Sequence, residues 1–364
     1  MVIDNNKVVE ALRNVRDPNS GLDIIASRLV ENLKIQGEDI SFTVHLKSND
    51  PQLKSTLNFS CMEEINKVYP EARVHIHLQT QANPEAKNEG VLPQVQNIIA
   101  VGSGKGGVGK STVAVNLAIA LRKKGARVGL IDADLYGPSI PTMMGFQGQR
   151  PKVEMVYNRH KIVPLQSAGI HVISLGVIVE PEQAVVLRGP RLGGIIKQFI
   201  EDCLWPELDY LIIDLPPGTG DIQLTLVQTV PLTGAIMVTT PQQIALIDAV
   251  KAMNMFLLPN VNVPVIGVIE NMAWFTPEEL PDNKYFLFGK GGGAALAKKG
   301  NTMLLGQVPI VQSVREGGDN GLPVTLHNDH PVSGIFDQIA NKVVQQVNIR
   351  NEMMAPTRIV HIKT

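Results

Sequence analysis

One run of the sequence is built to hold phosphate: Gly104-Lys105-Gly106-Gly107-Val108-Gly109-Lys110-Ser111-Thr112. It fits the pattern GxxxxGK[ST] and lies between an apolar run, residues 98–101, and a segment of helical spacing, residues 110–124. Its glycines let backbone N–H groups turn inward around phosphate oxygens. The helix that follows adds its positive N-terminal end. Lys110 can reach the β- and γ-phosphates, and the Ser111 hydroxyl can ligate Mg²⁺. The chemistry this implies is nucleoside triphosphate binding and phosphoryl transfer.

Further apolar runs end in polar residues that suit the same chemistry. Residues 210–213 run into Asp214-Leu215-Pro216-Pro217-Gly218. An apolar run closed by Asp is the Walker B pattern, whose carboxylate acts on the Mg²⁺ shell. The two prolines stiffen the turn, and Gly218 lets its N–H approach a γ-phosphate, so this loop can sense hydrolysis. Residues 128–131 run into Asp132-Ala133-Asp134. Transfer to water needs a group that orients the water, which a carboxylate here can be; the alternative is an acidic turn that caps the next segment. Residues 265–269 end in Glu270-Asn271. The Asn271 amide offers both a donor and an acceptor to an adenine edge, or it caps a turn.

These residues must be positioned by the elements that precede them. Short, fully apolar runs at 98–101, 128–131, 210–213, 235–238 and 265–269 alternate with helical segments such as 110–124 and 242–257. That pattern predicts an α/β fold with a mainly parallel sheet covered by helices on both faces, and ligands at the carboxyl ends of its strands. Ahead of it, helical spacing at 7–15 and 53–68, a hairpin of residues 29–35 and 40–46, and a strand at 73–78 predict a small α+β domain. The expected organisation is a domain over 1–80, a Pro- and Gly-containing linker over 81–96, a nucleotide-binding domain over 97–350, and a tail over 351–364.

Composition narrows the partners. The chain has 364 residues, 44% hydrophobic and 18% charged, which is globular rather than disordered. Its formal net charge of −1 argues against a large nucleic-acid surface. The N-terminal residues lack the basic and apolar regions of a signal peptide, and the long uncharged stretch 222–247 reads as a helix plus a buried strand rather than a span. Two widely separated cysteines, Cys61 and Cys203, form neither a disulfide framework nor a CxxC clip. Together these predict a cytoplasmic protein with no membrane and no nucleic-acid partner.

The early lysine of the loop, Lys105, makes it similar to the deviant Walker A group of P-loop ATPases that includes MinD, ParA and Mrp. Within that group, the segments DADLYGPSIPTMMG, LRGPRL, DYLIIDLPPGTGD and ENMAWF resemble the Mrp/ApbC iron–sulfur cluster carriers over residues 97–329. The leading module, with Asp17-Pro18 before Gly21-Leu22-Asp23-Ile24, resembles the small domain of iron–sulfur assembly factors. The resemblance implies a P-loop NTPase that binds ATP and Mg²⁺ and hydrolyses ATP slowly as a homodimer. In that reading Lys105 reaches across to the partner's nucleotide, Asp134 orients the attacking water, Asp132 supports Mg²⁺ or its waters, and Asn271, Pro309 and Arg315 meet the base. It also implies apo-protein or scaffold clients.

One departure stands out. Cluster-carrying members place a CxxC shortly after the ENM segment, whereas residues 273–285 here contain no cysteine. Thiolates hold such clusters, so that bridging site cannot form, no iron–sulfur ligand is identified, and the cysteines present read as buried apolar fillers. The alternative function is a nucleotide-switched positioning ATPase of the MinD/ParA kind, although no basic amphipathic helix is visible near the C-terminus.

Overall fold

The computed structural model describes residues 3–16, 23–27, 29–46, 51–80, 92–134, 137–156, 159–175, 200–220, 223–224, 227, 230–259, 261–277, 279–280 and 282–354. They fall into two compact units, Met1–Lys87 and Asn88–Thr364.

The small unit runs α1 (Asn5–Leu12), β1 (Val30–Gln36), β2 (Asp39–Leu46), α2 (Pro51–Val68) and β3 (Arg73–Thr80). Asp4 opens α1 earlier than its apolar spacing suggests, because its side chain accepts the Asn6 N–H at 2.8 Å. Strands β1 and β2 form the expected antiparallel hairpin, turning at Gly37 with a φ of +63°. Helix α2 then carries the chain to β3, which pairs parallel with β2. Val8 and Leu12 of α1 pack with Phe42, Leu57, Cys61 and Ile65 to form this unit's core.

The large unit contains β4 (Val95–Gly102), α3 (Lys110–Lys123), β5 (Val128–Asp132), α4 (Ile140–Met143), β6 (Val153–Val156), β7 (Arg159–Ile162), β8 (Leu165–Ser167), β9 (Ile170–Ser174) and β10 (Leu208–Asp214). It continues with β11 (Gly234–Thr239), α5 (Gln243–Leu257), β12 (Val265–Phe275), α6 (Gly292–Lys299), β13 (Leu304–Ile310), α7 (Gln312–Asp319) and α8 (Pro331–Met353). Eight strands form one sheet in the order β13-β12-β11-β4-β10-β5-β9-β8. Every pairing in it is parallel except β8 with β9.

Period-two alternation assigns each strand residue to one of two cores. Ile98 and Ala100 of β4 and Ala235 and Met237 of β11 pack with Ala249, Met253 and Phe256 of α5. Their neighbours Ile99, Val101, Ile236 and Val238 pack with α3 and with Phe336 and Ile339 of α8 on the other face. Both faces are covered, which is why these strands read as unbroken apolar runs.

Some elements differ from expectation. Strand β4 begins at Val95, α8 spans Pro331–Met353, and β12 runs on to Phe275. The exposed β6–β7 hairpin, the short β8 and β9, and β13 carry no clear apolar run in the sequence. Most of the expected linker, several residues of 222–229 and most of the expected tail lie outside the described residues. Among the described residues no helix is long and apolar enough to cross a membrane.

Candidate functional site: a phosphate cleft at the strand ends

The loop from Ser103 to Gly109 joins β4 to α3. Gly107 and Gly109 have φ values of +79° and +77°, a left-handed conformation that costs a side-chain-bearing residue about 1–2 kcal/mol. Gly109 immediately precedes α3 and makes no side-chain cap, which leaves the first N–H groups of the helix free for an anion. Gly104 is needed for a different reason. A Cβ there would run into the backbone of Asp248 and Ala249 in α5. The loop is therefore wedged between two helices.

Below the loop, sheet register sets the acids level with one another. Asp214 at the end of β10 lies opposite Val101 of β4 on one side and Asp132 of β5 on the other. Lys110, itself only 6% exposed, places its Nζ 2.7 Å from Asp214 Oδ1 and 3.7 Å from Asp134 Oδ2. The Ser111 hydroxyl is 3.4 Å from the same ammonium. Burial pushes the Asp214 pKa up, and the Lys110 charge opposes that. Asp214 Oδ2 is buried and makes no hydrogen bond, although the Ser111 hydroxyl nearby favours the charged carboxylate. An unshared carboxylate oxygen beside a hydroxyl is a hard-oxygen donor set, and it fits Mg²⁺.

Asp132 does not face the cleft. One oxygen accepts the Asp134 N–H at 3.1 Å, and the other accepts the hydroxyl of Ser174 at 2.9 Å. Burial and the neighbouring Asp214 charge push its pKa up to about 7. Expected to support Mg²⁺ or its waters, Asp132 uses one oxygen to hold the backbone of Asp134 and the other to hold Ser174. Ser174 stands opposite Asp132 across β5 and β9 and gave no signal in the sequence.

Gly218 also differs from expectation. Its φ is +96°, as a tight turn requires, but its N–H donates to the Ser103 carbonyl at 2.9 Å. The N–H expected to meet a phosphate is already engaged with the base of the phosphate loop.

A pocket of about 230 Å³ is lined by Lys105, Gly106, Gly107, Lys110, Ser111 and Asp134, with others. It shares Gly109, Thr112, Ser139 and Met143 with a second pocket of about 640 Å³ that reaches Asn271, Met272, Pro309 and Arg315. The two adjoin as one cleft, with a smaller end lined by the phosphate loop and a larger, more apolar end. Asn271 sits between them and donates Nδ2–H to the Val108 carbonyl at 2.9 Å, so it braces the phosphate loop from the side of the larger pocket. Met272 next to it takes a φ of +56°. Arg315 is exposed and bound to Asp319 at 2.9 Å and Glu316 at 3.0 Å, which puts it on the rim. Lys105 is exposed, and its ammonium has no ion pair among the described residues.

The segment that lacks cysteines is tied by other means. Phe275 and Tyr285 exchange backbone hydrogen bonds of 2.8 Å each, and Lys284 lies over the Trp274 ring at 4.4 Å. The thiols that do exist lie in the cores of the two units. Burial pushes Cys61 up to about 12 and raises Cys203 as well. Neither thiol fits a cluster ligand in this fold, since ligation needs an accessible thiolate.

A glycine loop between a central parallel strand and a helix, with its lysine on a strand-end aspartate, defines a P-loop nucleoside triphosphatase fold of the MinD/ParA kind. The family described as NUBPL iron-transfer P-loop NTPase matches residues 94–344, and the iron–sulfur cluster assembly protein family matches residues 5–78. The chain belongs to this family of iron–sulfur cluster carriers. The iron–sulfur cluster carrier protein of Synechocystis is 42% identical over 350 residues, covering 94% of this chain and 98% of its own. The protein of the same description from Deinococcus radiodurans is 40% identical, covering 98% of this chain and 99% of its own. Among solved structures, a nucleotide-binding protein from Archaeoglobus fulgidus in complex with ADP is 36% identical, with a TM-score of 0.55 over 66% of this chain and 92% of that one. The cell division ATPase MinD of Pyrococcus furiosus shares the fold, at 23% identity and a TM-score of 0.51 over 68% of this chain and 98% of its own.

Proposed function

We propose that this chain is a Mg²⁺-dependent ATPase that works as a homodimer and couples its nucleotide state to iron–sulfur cluster assembly or handover to apo-proteins. One observation carries the reading: the Lys110 ammonium lies between Asp214 and Asp134 at the floor of a cleft lined by the glycine loop. The loop N–H groups and the end of α3 hold the phosphates, and Lys110 moves onto the terminal ones. Ser111 and Asp214 would hold Mg²⁺, which supplies charge neutralisation at the phosphates. Asp134, half-buried and with its backbone pinned by Asp132, orients the attacking water. Adenine occupies the larger pocket beside Asn271, with Pro309 and Arg315 at its edge. Lys105, exposed at the mouth, extends to the nucleotide of a second copy.

No cluster ligand is assigned to residues 273–285, so the proposed role is nucleotide-driven assembly or transfer, with the cluster as cargo held elsewhere. The test is phosphate release from ATP by wild-type protein and by the Lys110→Met and Asp134→Asn variants. Lys110→Met is expected to lose both nucleotide binding and turnover. Asp134→Asn is expected to keep ADP binding and lose turnover by about a hundredfold or more. Equal turnover in all three would sink the assignment.

A further inference from the structure

Gln223 lies outside every motif, yet it is only 2% exposed and sits directly behind the turn that follows Asp214. Its Nε2 donates to the Pro216 carbonyl at 2.8 Å and to the Gly218 carbonyl at 3.0 Å. Both donors of one amide are thus spent on one three-residue turn. The opposite end of the amide, Oε1, is buried and makes no hydrogen bond. That orientation is enforced: reversing the amide would set an oxygen against two carbonyl oxygens. A buried, unsatisfied acceptor is unfavourable, so the turn is held in this shape at a cost.

The far side of the same turn touches the phosphate loop. Gly218 donates its N–H to Ser103 at 2.9 Å, and the Ser103 hydroxyl donates to the Lys105 carbonyl at 3.0 Å. Pro217 lines the phosphate pocket. The turn therefore has a fixed side, clipped by Gln223, and a side with an exchangeable bond, Gly218 to Ser103.

We propose that Gln223 is a positioning residue that keeps residues 216–218 folded as a unit, so that the Gly218 N–H can trade the Ser103 carbonyl for the terminal phosphate of a triphosphate without the turn unravelling. This rests on the nucleotide reading given above and adds to it the element that tells triphosphate from diphosphate. The trade leaves the Ser103 carbonyl without its donor and loosens the link from the turn to Lys105. The state of the nucleotide is thereby passed to Lys105, exposed at the cleft mouth. A diphosphate has no γ-phosphate to take the N–H, so the Ser103 bond persists in its presence.

Two variants separate this role from simple stability. Gln223→Met keeps the volume and removes both donors. Gln223→Glu keeps the shape and sets an anion against two carbonyls. Calorimetric titration with ADP and with a non-hydrolysable ATP analogue, both with Mg²⁺, reads the discrimination, and phosphate release reads turnover. Both variants are expected to bind ADP within about threefold of wild type. The preference for the triphosphate analogue and the turnover are expected to fall by about tenfold or more, as two lost hydrogen bonds imply. Gln223→Glu should lie below Gln223→Met, and if it does not fold, Gln223→Met alone decides. Because Gln223→Met also removes the buried, unpaired oxygen, its melting temperature should not track the functional loss. A Gln223→Met protein with wild-type discrimination and turnover overturns the clip. Wild-type protein that takes up neither nucleotide overturns the nucleotide reading itself, and that appears in the first titration.

Discussion

Replacing Gly104 with Ala adds a single methyl group, and the structure sets what it must displace. A Cβ at this position overlaps the carbonyl carbon and oxygen of Asp248 and the nitrogen of Ala249. These are backbone atoms in the middle of α5, whose Ala249, Ala252, Met253 and Phe256 are packed into the core beneath the sheet. No side chain can rotate away, so either α5 or the phosphate loop must retreat by roughly 1.5–2 Å to restore ordinary carbon contacts. Overpacking of this kind costs about 1–3 kcal/mol, and the upper end applies where backbone has to move. For a unit of this size, about 3 kcal/mol lowers its melting transition by roughly 6–12 °C. Turnover should suffer more, since misplacing a reacting group by about an ångström costs on the order of a hundredfold. Gly107→Ala is the control, because its φ of +79° is strained but nothing lies within 4 Å of the added carbon. It should cost about 1–2 kcal/mol, from backbone conformation alone. Calorimetric melting together with ADP titration of both variants makes the comparison. The reasoning fails if Gly104→Ala melts and binds ADP like wild type, or no worse than Gly107→Ala.

Two further outcomes follow from the same geometry. With burial raising both thiols, Cys61 up to about 12, neither cysteine should be alkylated by iodoacetamide in native protein near neutral pH, and both should react once the chain is denatured; rapid native labelling of either would reopen it as a ligand. Lys105→Ala should leave ADP affinity within about twofold, because Lys105 has no ion pair among the described residues, while turnover falls by about a hundredfold and loses its dependence on protein concentration. Undiminished hydrolysis would remove the proposed action of Lys105 on a second subunit.

What the sequence exposes and what it hides divide along physical lines. The central strands were legible because both sides of the sheet are covered, so every position of β5 and β11 is buried and, apart from the terminal Asp132 and Thr239, carries no polar side chain. The β6–β7 hairpin was not, since Val153 and Met155 point outward at 59% and 62% exposure among charged neighbours. Strand β13 was hidden by Gly306 and Pro309; Gly306 is there because Ile339 of α8 presses on that point. In the cleft, Lys110 and Ser111 were found because phosphate chemistry fixes both their types and their spacing, Asp214 because it closes an apolar run, and Asp134 through the family resemblance. Ser103, Ser174 and Gln223 have no spacing signature. Their roles exist only once β5 aligns with β9, or once the turn after β10 folds back on the phosphate loop.

Asn271 shows why a correct position can still leave a function half-read. The sequence points its amide outward, toward a base edge. The folded chain uses Nδ2 inward, on the Val108 carbonyl, and the backbone at Gly109 comes so close that a methyl group there would strike the same nitrogen. An amide has two ends, and bracing the loop with one leaves the carbonyl oxygen for a ligand. Glu270, one residue earlier, is completely committed, accepting from the Gly293 N–H at the start of α6 and from Gln307 at 2.6 Å. The end of β12 is thus anchored at Glu270, joined to the phosphate loop at Asn271, turned at Met272 by its left-handed backbone, and closed at Phe275 by Tyr285. The residues that set the nucleotide pocket and the segment without cysteines are one continuous strand. The anchors that fix Asn271, namely Val108 in the phosphate loop, Val308 of β13 and, through Glu270, Gly293 and Gln307, all lie outside residues 273–285, so a change of residue chemistry in that segment is expected to leave the nucleotide pocket in place.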